Sequence, residues 1–492
     1  MLEFIKDELN TTITENGAVT YATSGSDCLD LFATVGALRH ANEEEIVARF
    51  LRAFAESPDL AMKILFFARD IRGGLGERRV FRTALKWLAE NHTESARKNI
   101  EFVAEYGRYD DLLCLIDSKC HDEVIAVLKQ QFEADNAALS KEDGEVSLLG
   151  KWLPSINTSN AETVQLGKKM ARAFELSAAE YRKVLSALRA RIKIIENNLR
   201  EKNYTFDYSK QPSRAMFKYR KAFSRNDGER YAEFLRKVGA GEATLHADNV
   251  YPYEVVESCL DYDHDRMKRV TEEEKAALNA TWASLPDFGG KENMLAVVDT
   301  SGSMYWGSSP TPAAVALSLG LYFAERNKGA FANHFIEFSM KPRLIEIKGE
   351  TFADRLEYIS SFSEVANTNL EAVFDVVLNA ALRNKVPQEE LPAKFVIISD
   401  MEFDSCVEHA SMSNFENAKK KYANAGYRLP DVIFWNVDSR NNQQPVTMNE
   451  QGVALVSGAT PRLFSMIAGG VVSPYAFMMD VLGSERYRKI SA

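Results

Sequence analysis

Between residues 28 and 135 apolar positions recur every three or four residues, as in Ile46, Val47, Phe50, Leu51 and Phe54, then Leu60 to Phe67, then Val80, Leu85 and Leu88. That spacing puts one apolar stripe on each of several helices. Short polar or glycine turns separate the stripes, and almost nothing alternates with the period of a strand. Helices joined by short loops lie antiparallel to their neighbours, so the pattern predicts stacked helix pairs of an α-solenoid, with no fixed repeat length. A further helix is expected over Tyr181 to Arg200. Tyr181, Val184, Leu185, Leu188, Ile192, Ile195 and Leu199 form its packing stripe, while Arg182, Arg189, Lys193 and Arg200 share a face expected to meet solvent.

From about residue 286 the pattern changes. Met294 to Val298, Phe395 to Ile398, Val432 to Val437 and Val453 to Val456 are short, nearly continuous apolar runs, the mark of strands buried on both faces of a parallel sheet. Amphipathic helices are expected between them over Ala313 to Arg326, Leu370 to Leu382 and Asn414 to Ala425. The expected fold class is therefore α + α/β: an α-helical repeat (HEAT-like) domain over 1–285, then a doubly wound α/β domain over 286–492. In such a sheet, ligands sit at the carboxyl ends of strands beside the topological switch point.

Charge refines the picture. The 492-residue chain carries a net charge of −10, which excludes a generic polyanion binder and makes any nucleic-acid site local. Residues 168–237 are the exception, with 19 Lys or Arg against 8 Asp or Glu. Within them, Tyr208 to Arg225 interleaves aromatics with Arg214, Lys218, Arg220 and Lys221. That combination lets bases stack while cations meet phosphates; the alternative is a solvated helix face whose aromatics are core. RNA contacts are therefore expected at Arg182, Arg189, Lys193, Arg200, Arg214, Lys218, Arg220 and Lys221.

Five scattered cysteines form no CxxC pair and read as reduced thiols of a cytosolic protein. The N-terminal residues mix acids into what would be the basic end of a signal peptide. The longest apolar stretch, Ala313 to Ala324, falls short of the roughly 20 residues of a membrane span. A cytoplasmic protein without a membrane segment is expected.

The candidate chemistry follows the first strand of the second domain, in Ala296-Val-Val-Asp299-Thr-Ser301-Gly-Ser303-Met304. A buried strand would deliver Asp299 to its carboxyl edge, and the next turn would present two hydroxyls. One carboxylate and two hydroxyls are hard oxygen donors suited to part of a Mg²⁺ shell. Further ligands are expected from Thr368, in Ala366-Asn-Thr-Asn-Leu370, and from Asp400, which ends Phe395-Val-Ile-Ile-Ser-Asp400.

At these residues the sequence resembles the von Willebrand factor A domain, whose metal-ion-dependent adhesion site reads Asp-x-Ser-x-Ser, a distant Thr and a distant Asp. The resemblance implies metal-ligand roles for Asp299, Ser301, Ser303, Thr368 and Asp400, Mg²⁺ or another divalent cation as cofactor, and recruitment of a protein partner through the metal. Met401-Glu402 departs from it, since many members have Gly after the Asp; Glu402 or Asp404 would then alter the charge balance. Helical repeats followed by an A domain also resemble the Ro autoantigen (TROVE-type) architecture, specifically a Ro-related family catalogued as a domain of unknown function. Gly73-Gly-Leu-Gly-Glu-Arg-Arg79, Tyr106-Gly-Arg-Tyr-Asp-Asp-Leu112, Lys151-Trp-Leu-Pro154 and Tyr181-Arg-Lys-Val-Leu185 carry this likeness. It implies a ring of helical repeats that binds structured RNA on a basic outer face and single-stranded ends in its hole.

Enzyme readings find little footing. Arg72 to Arg79 resembles a phosphate loop but follows no strand and reads as a helix–helix turn. GxxxxGK[ST], GxSxG and HExxH are absent. Cys114 and Cys120-His121 sit in an apolar helical stretch, where inert cysteine is expected. Asp261, Asp263, His264 and Asp265 could ligate a nuclease metal, although a capped loop is favoured. The expected function is an RNA-binding ribonucleoprotein scaffold, not an enzyme; a protein-only adaptor is the alternative.

Overall fold

The computed structural model describes residues 9–192, 194–261, 266–268, 270–289, 292–305, 309–338, 341–362, 368–405 and 412–492. Lys193, and Asp263, His264 and Asp265 of the acidic cluster, lie outside these residues. Packing divides the chain differently from a cut at residue 285: one compact unit holds residues 1–64 and 208–488, the other 65–207 and 489–492.

In the first unit, β1 (Thr11–Ile13) and β2 (Val19–Tyr21) form a hairpin, and β3 (Leu260–Asp261) pairs with β4 (Arg266–Met267). The main sheet contains β5 (Met294–Asp299), β6 (His334–Phe338), β7 (Arg343–Glu346), β8 (Lys394–Ser399), β9 (Asp431–Asn436) and β10 (Val453–Ser457). Their order is β10-β9-β8-β5-β6-β7, parallel throughout except for the antiparallel β6–β7 pair. The four apolar runs read from the sequence are β5, β8, β9 and β10. β6 and β7 escaped that reading: β7 is mostly exposed at the sheet edge, with only Ile345 buried in Arg-Leu-Ile-Glu, so it carries no apolar run.

Chain order reverses between β5 and β8, which makes their carboxyl ends the switch point. Alternation along the strands sorts the core into two faces. Leu295, Val297, Phe395, Ile397, Val432 and Phe434 pack with Leu370, Val373 and Phe374 of the helix Leu370–Asn384 and with Phe415 of the helix Asn414–Asn424. Val298 points to the other face, where a Cβ on Gly320 would lie 2.3 Å from its Cγ2. This is a close approach that only glycine permits. Gly320 belongs to the helix Pro312–Arg326, which is buried on every side from Pro312 to Ala324 rather than amphipathic. The helix Pro252–Glu257 also packs against it, so it has no wet face.

Segments outside 286–492 complete this unit. The helix Asp27–Thr34 lies along β10, where the Gly36 N–H donates to Ser457 Oγ at 2.9 Å. The helices Ser213–Asn226, Gly228–Gly239 and Glu272–Ala283 pack on one another, and the last also packs on Phe352–Ser360. Tyr208, Phe223, Tyr231 and Phe234 are buried among them as one aromatic cluster. Their rings therefore fill a core and offer no face to a base.

The second unit is helical, including Arg78–Asn91, His121–Ala138, Ala161–Ala173, Ala178–Ile192 and Ile195–Arg200. The helix expected across Tyr181 to Arg200 does not run through unbroken, since Ile194 has extended backbone ahead of the helix Ile195–Arg200. Arg72 to Arg79 is a helix–helix turn: the N–H groups of Gly74, Leu75 and Glu77 donate to the carbonyls of Asp70, Phe67 and Ala68, and a Cβ on Gly74 would meet the Phe67 carbonyl at 2.1 Å. These three amides are spent on the chain rather than held out to phosphate. Asp111, fully buried, accepts from Arg69 Nε at 2.8 Å and from Arg82 Nε at 2.7 Å. The most motif-like residues of this region are therefore its brace.

Candidate metal centre

β5 delivers Asp299 to its carboxyl end and β8 delivers Ser399 and Asp400 beside it, in the register that pairs Val298 with Ile398. Asp299 is fully buried. Its Oδ1 accepts the Ser301 N–H at 2.9 Å and its Oδ2 accepts the Ser399 hydroxyl at 2.5 Å. Ser301 Oγ and Ser303 Oγ are 3.1 Å apart, and Ser303 Oγ donates to Asp400 Oδ2 at 2.8 Å. Four of the five expected ligands are thus joined in one chain of contacts.

Thr368 is placed next to this group but turned to other partners. Its hydroxyl donates to the Glu402 carbonyl at 2.9 Å and accepts from Asn16 Nδ2 at 3.1 Å. Burial, and then the nearby Asp400 carboxylate, raise the Asp299 pKa well above the ordinary carboxyl range. Two carboxylates in a desolvated pocket repel each other, and a cation between them would relieve that repulsion. Arg440 meets this pair, its Nη2 donating to Asp400 Oδ2 at 2.7 Å.

The donor set fits a small hard dication: two carboxylates and two hydroxyls, all oxygen, with further positions for solvent or a partner's oxygen. Asp299, Ser301, Ser303 and Asp400 would hold it. No group of three or more His, Cys, Asp or Glu suited to a metal occurs among the described residues, so a transition-metal cage is not what this set resembles.

Glu402 does not enter the cluster. Its Oε2 accepts from the Glu15 N–H and from Gln443, each at 2.8 Å, and its Oε1 accepts from Asn441 at 2.8 Å. Before it, Met401 has φ +68°. The residue that replaces the familiar Gly keeps the left-handed conformation for which Gly would be the easy choice.

Three residues at this site were missed from the sequence. Ser399 had a signal, since a strand's last residue falls opposite its neighbour's last residue. Arg440 and Asn16 had none, being brought in from loops 40 and 384 positions from Asp400.

The expected RNA contacts divide by environment. Arg182, Arg200, Arg214, Lys218 and Lys221 are exposed. Arg200 pairs with Glu201, Arg214 with Glu254 and Lys221 with Glu274. Arg189 is a correction to the solvent-face expectation: half-buried, it donates to the Gly150 and Leu153 carbonyls and to Ser155 Oγ. Arg220 is likewise half-buried against Ser258 and Glu274. Burial pushes the Cys114 thiol up to about 12 and raises that of Cys120, so neither is a ready thiolate at neutral pH.

A family model described as a domain of unknown function, DUF2828, matches residues 14–126 and 158–287. A second, DUF7788, likewise a domain of unknown function, matches 293–473. The chain is 28% identical over 512 residues to the uncharacterized protein L728 of Acanthamoeba polyphaga mimivirus, covering 96% of this chain and 87% of that protein. An alignment with the crystal structure of the Deinococcus radiodurans RO (RSR) protein covers 91% of this chain and 99% of that one, at 12% identity and a TM-score of 0.37.

Proposed function

We propose that the chain is an RNA-binding scaffold whose α/β unit binds Mg²⁺ at Asp299, Ser301, Ser303 and Asp400, with Thr368 as a fifth ligand, and recruits a partner's acidic oxygen through the ion. The observation that carries the metal part is the joining of Ser301, Ser303 and Asp400 oxygens beside the buried Asp299 at the switch point. Such a site binds rather than cleaves. A hydroxyl-rich shell with few carboxylates leaves the ion electrophilic enough to take one more anionic oxygen.

The RNA part is supported by the charge of residues 168–237 and by the Ro-like arrangement of the sequence. Structured RNA or single-stranded ends are the ligands that arrangement implies. A protein-only adaptor is the second reading. It gains from the commitment of Arg189 and Arg220 to protein partners, which takes two cations out of the expected phosphate set.

The test is to isolate the full chain from its native cell with and without EDTA, then sequence the retained nucleic acid and identify the retained protein. Retained RNA, with a protein partner lost in EDTA, supports the proposal. A nuclease-resistant protein partner without nucleic acid selects the adaptor reading.

A further inference from the structure

The tip of the β1–β2 hairpin lies against the metal centre. Thr14 Oγ1 donates to the Phe403 carbonyl at 2.6 Å, and Gly17, at φ +87°, pairs with Asp404. Between them, Asn16 Nδ2 donates to the Glu402 carbonyl at 2.6 Å and to Thr368 Oγ1 at 3.1 Å. Glu15 Oε2 lies 3.2 Å from Arg440 Nη1, and Glu15 Oε1 accepts from Asn441 at 3.0 Å. The other end of the same guanidinium holds Asp400 Oδ2.

These interactions share one chemical property. Thr368 gives its proton to the Glu402 carbonyl, so only its oxygen lone pairs can serve a metal, and Asn16 takes one of them. Asp400 Oδ1 accepts the Glu402 N–H at 3.1 Å, leaving Oδ2 for an ion, and Arg440 sits on Oδ2. Thr368 and Asp400 are 1% and 3% exposed, so withdrawal of the tip would cost the Thr368 oxygen the Asn16 donor and leave Asp400 Oδ2 to the Ser303 hydroxyl. The hairpin tip supplies those donors, Asn16 directly and Glu15 by holding Arg440.

We propose that Asn16 and the Glu15–Arg440 pair are an internal competitor for the divalent ion, so that metal binding and docking of the hairpin tip oppose each other. This rests on the metal reading of the site and names its regulation. A dication at Asp400 repels the guanidinium, and a metal on Thr368 replaces the Asn16 amide. Linkage makes the effect mutual: whatever loosens the tip tightens the metal by the same factor. An acidic partner arriving at the ion would then meet a surface from which Glu15 and Asn16 have withdrawn.

Titration calorimetry with MgCl₂ and MnCl₂ on the full chain tests this in the wild type, Asn16→Ala, Arg440→Gln and Asp299→Asn, together with hydrogen exchange of residues 11–21 with and without metal. Asn16 is exposed and Arg440 partly so, and the exchange arm uses the unaltered chain. The expected result is affinity at least about tenfold higher in Arg440→Gln, the scale of a charge removed near an ion, and about fivefold higher in Asn16→Ala, the scale of one neutral hydrogen bond, with faster exchange at the tip when metal is bound. Unchanged affinity in both variants with unaltered exchange, while Asp299→Asn abolishes binding, overturns the competitor and leaves the metal site standing. No ion bound by any variant, Arg440→Gln included, overturns both.

Discussion

The Ser303 hydroxyl donates to Asp400 Oδ2 at 2.8 Å, across 97 positions of sequence. Neither residue is notable alone, since a serine in a turn and an aspartate after a strand are ordinary. They meet because β5 and β8 are adjacent parallel strands ending at one edge, with Ser399 carrying the link on to Asp299. The relationship is a property of the sheet, and it brings these oxygens to one edge.

Replacing Ser399 by Ala should cost about 1–3 kcal/mol, because a buried carboxylate oxygen loses its donor. The stability loss, read by thermal or denaturant unfolding, should shrink when Mg²⁺ is present, since the ion supplies the missing positive partner.

The raised Asp299 pKa sets the sign of a pH effect. In the metal-free fold Asp299 holds its proton to higher pH than in the unfolded chain. The stability this contributes is fully present below the ordinary value of 3.8 and is lost as pH rises through the raised folded value. The melting temperature in EDTA should therefore fall across that window, and Mg²⁺ should restore most of the loss at neutral pH. Asp299→Asn should flatten the profile and lose the response to Mg²⁺, with roughly 2–4 °C in Tm for each kcal/mol involved.

Asp111→Ala should be among the most damaging substitutions in residues 65–207. It leaves the buried Arg69 and the half-buried Arg82 without the carboxylate both address. Loss of one partner from a buried ion pair costs about 3–5 kcal/mol, and hydrogen exchange should show it locally in the helices around Arg69 and Arg82 while the β5–β8 core stays protected.

For RNA, the informative variant is Arg182→Glu with Lys218→Glu and Lys221→Glu, three exposed cations, with the melting temperature measured alongside because Lys221 pairs with Glu274. The RNA affinity of the purified chain should fall. The slope of log affinity against log salt should shrink by roughly 0.7–0.9 for each phosphate the protein no longer neutralises. Arg189→Glu should instead destabilise the helix Ala178–Ile192, because its guanidinium braces the Gly150 and Leu153 carbonyls. Unchanged affinity and slope in the triple variant would favour the protein-only adaptor.

What was legible in the sequence follows from what burial does to composition. β5, β8, β9 and β10 are covered on both faces, so each spells an apolar run with its ends in view, and Asp299 and Asp400 follow from those ends. β7 sits at an edge, and its exposed residues hide it. Basic faces were less legible than apolar ones. Arginine can lie in a solvated row by periodicity and still turn its guanidinium inward, as Arg189 does towards the carbonyls after residue 149. The aromatics between Tyr208 and Phe234 read equally well as stacking platforms or as core, and only their packing against one another separates the two. The hairpin tip left no trace in local sequence because its partners, Thr368, Glu402 and Arg440, are all more than 350 positions away.

Binding of a divalent ion among the oxygens of Asp299, Ser301, Ser303 and Asp400 is what the proposed function stands on. Anomalous diffraction from crystals grown with Mn²⁺ addresses it most directly. One strong anomalous peak is expected at the carboxyl ends of β5 and β8, with Ser301 and Ser303 Oγ at about 2.0–2.2 Å and Arg440 displaced from Asp400. Diffraction that shows no peak there at millimolar Mn²⁺, with Arg440 still on Asp400, would contradict it.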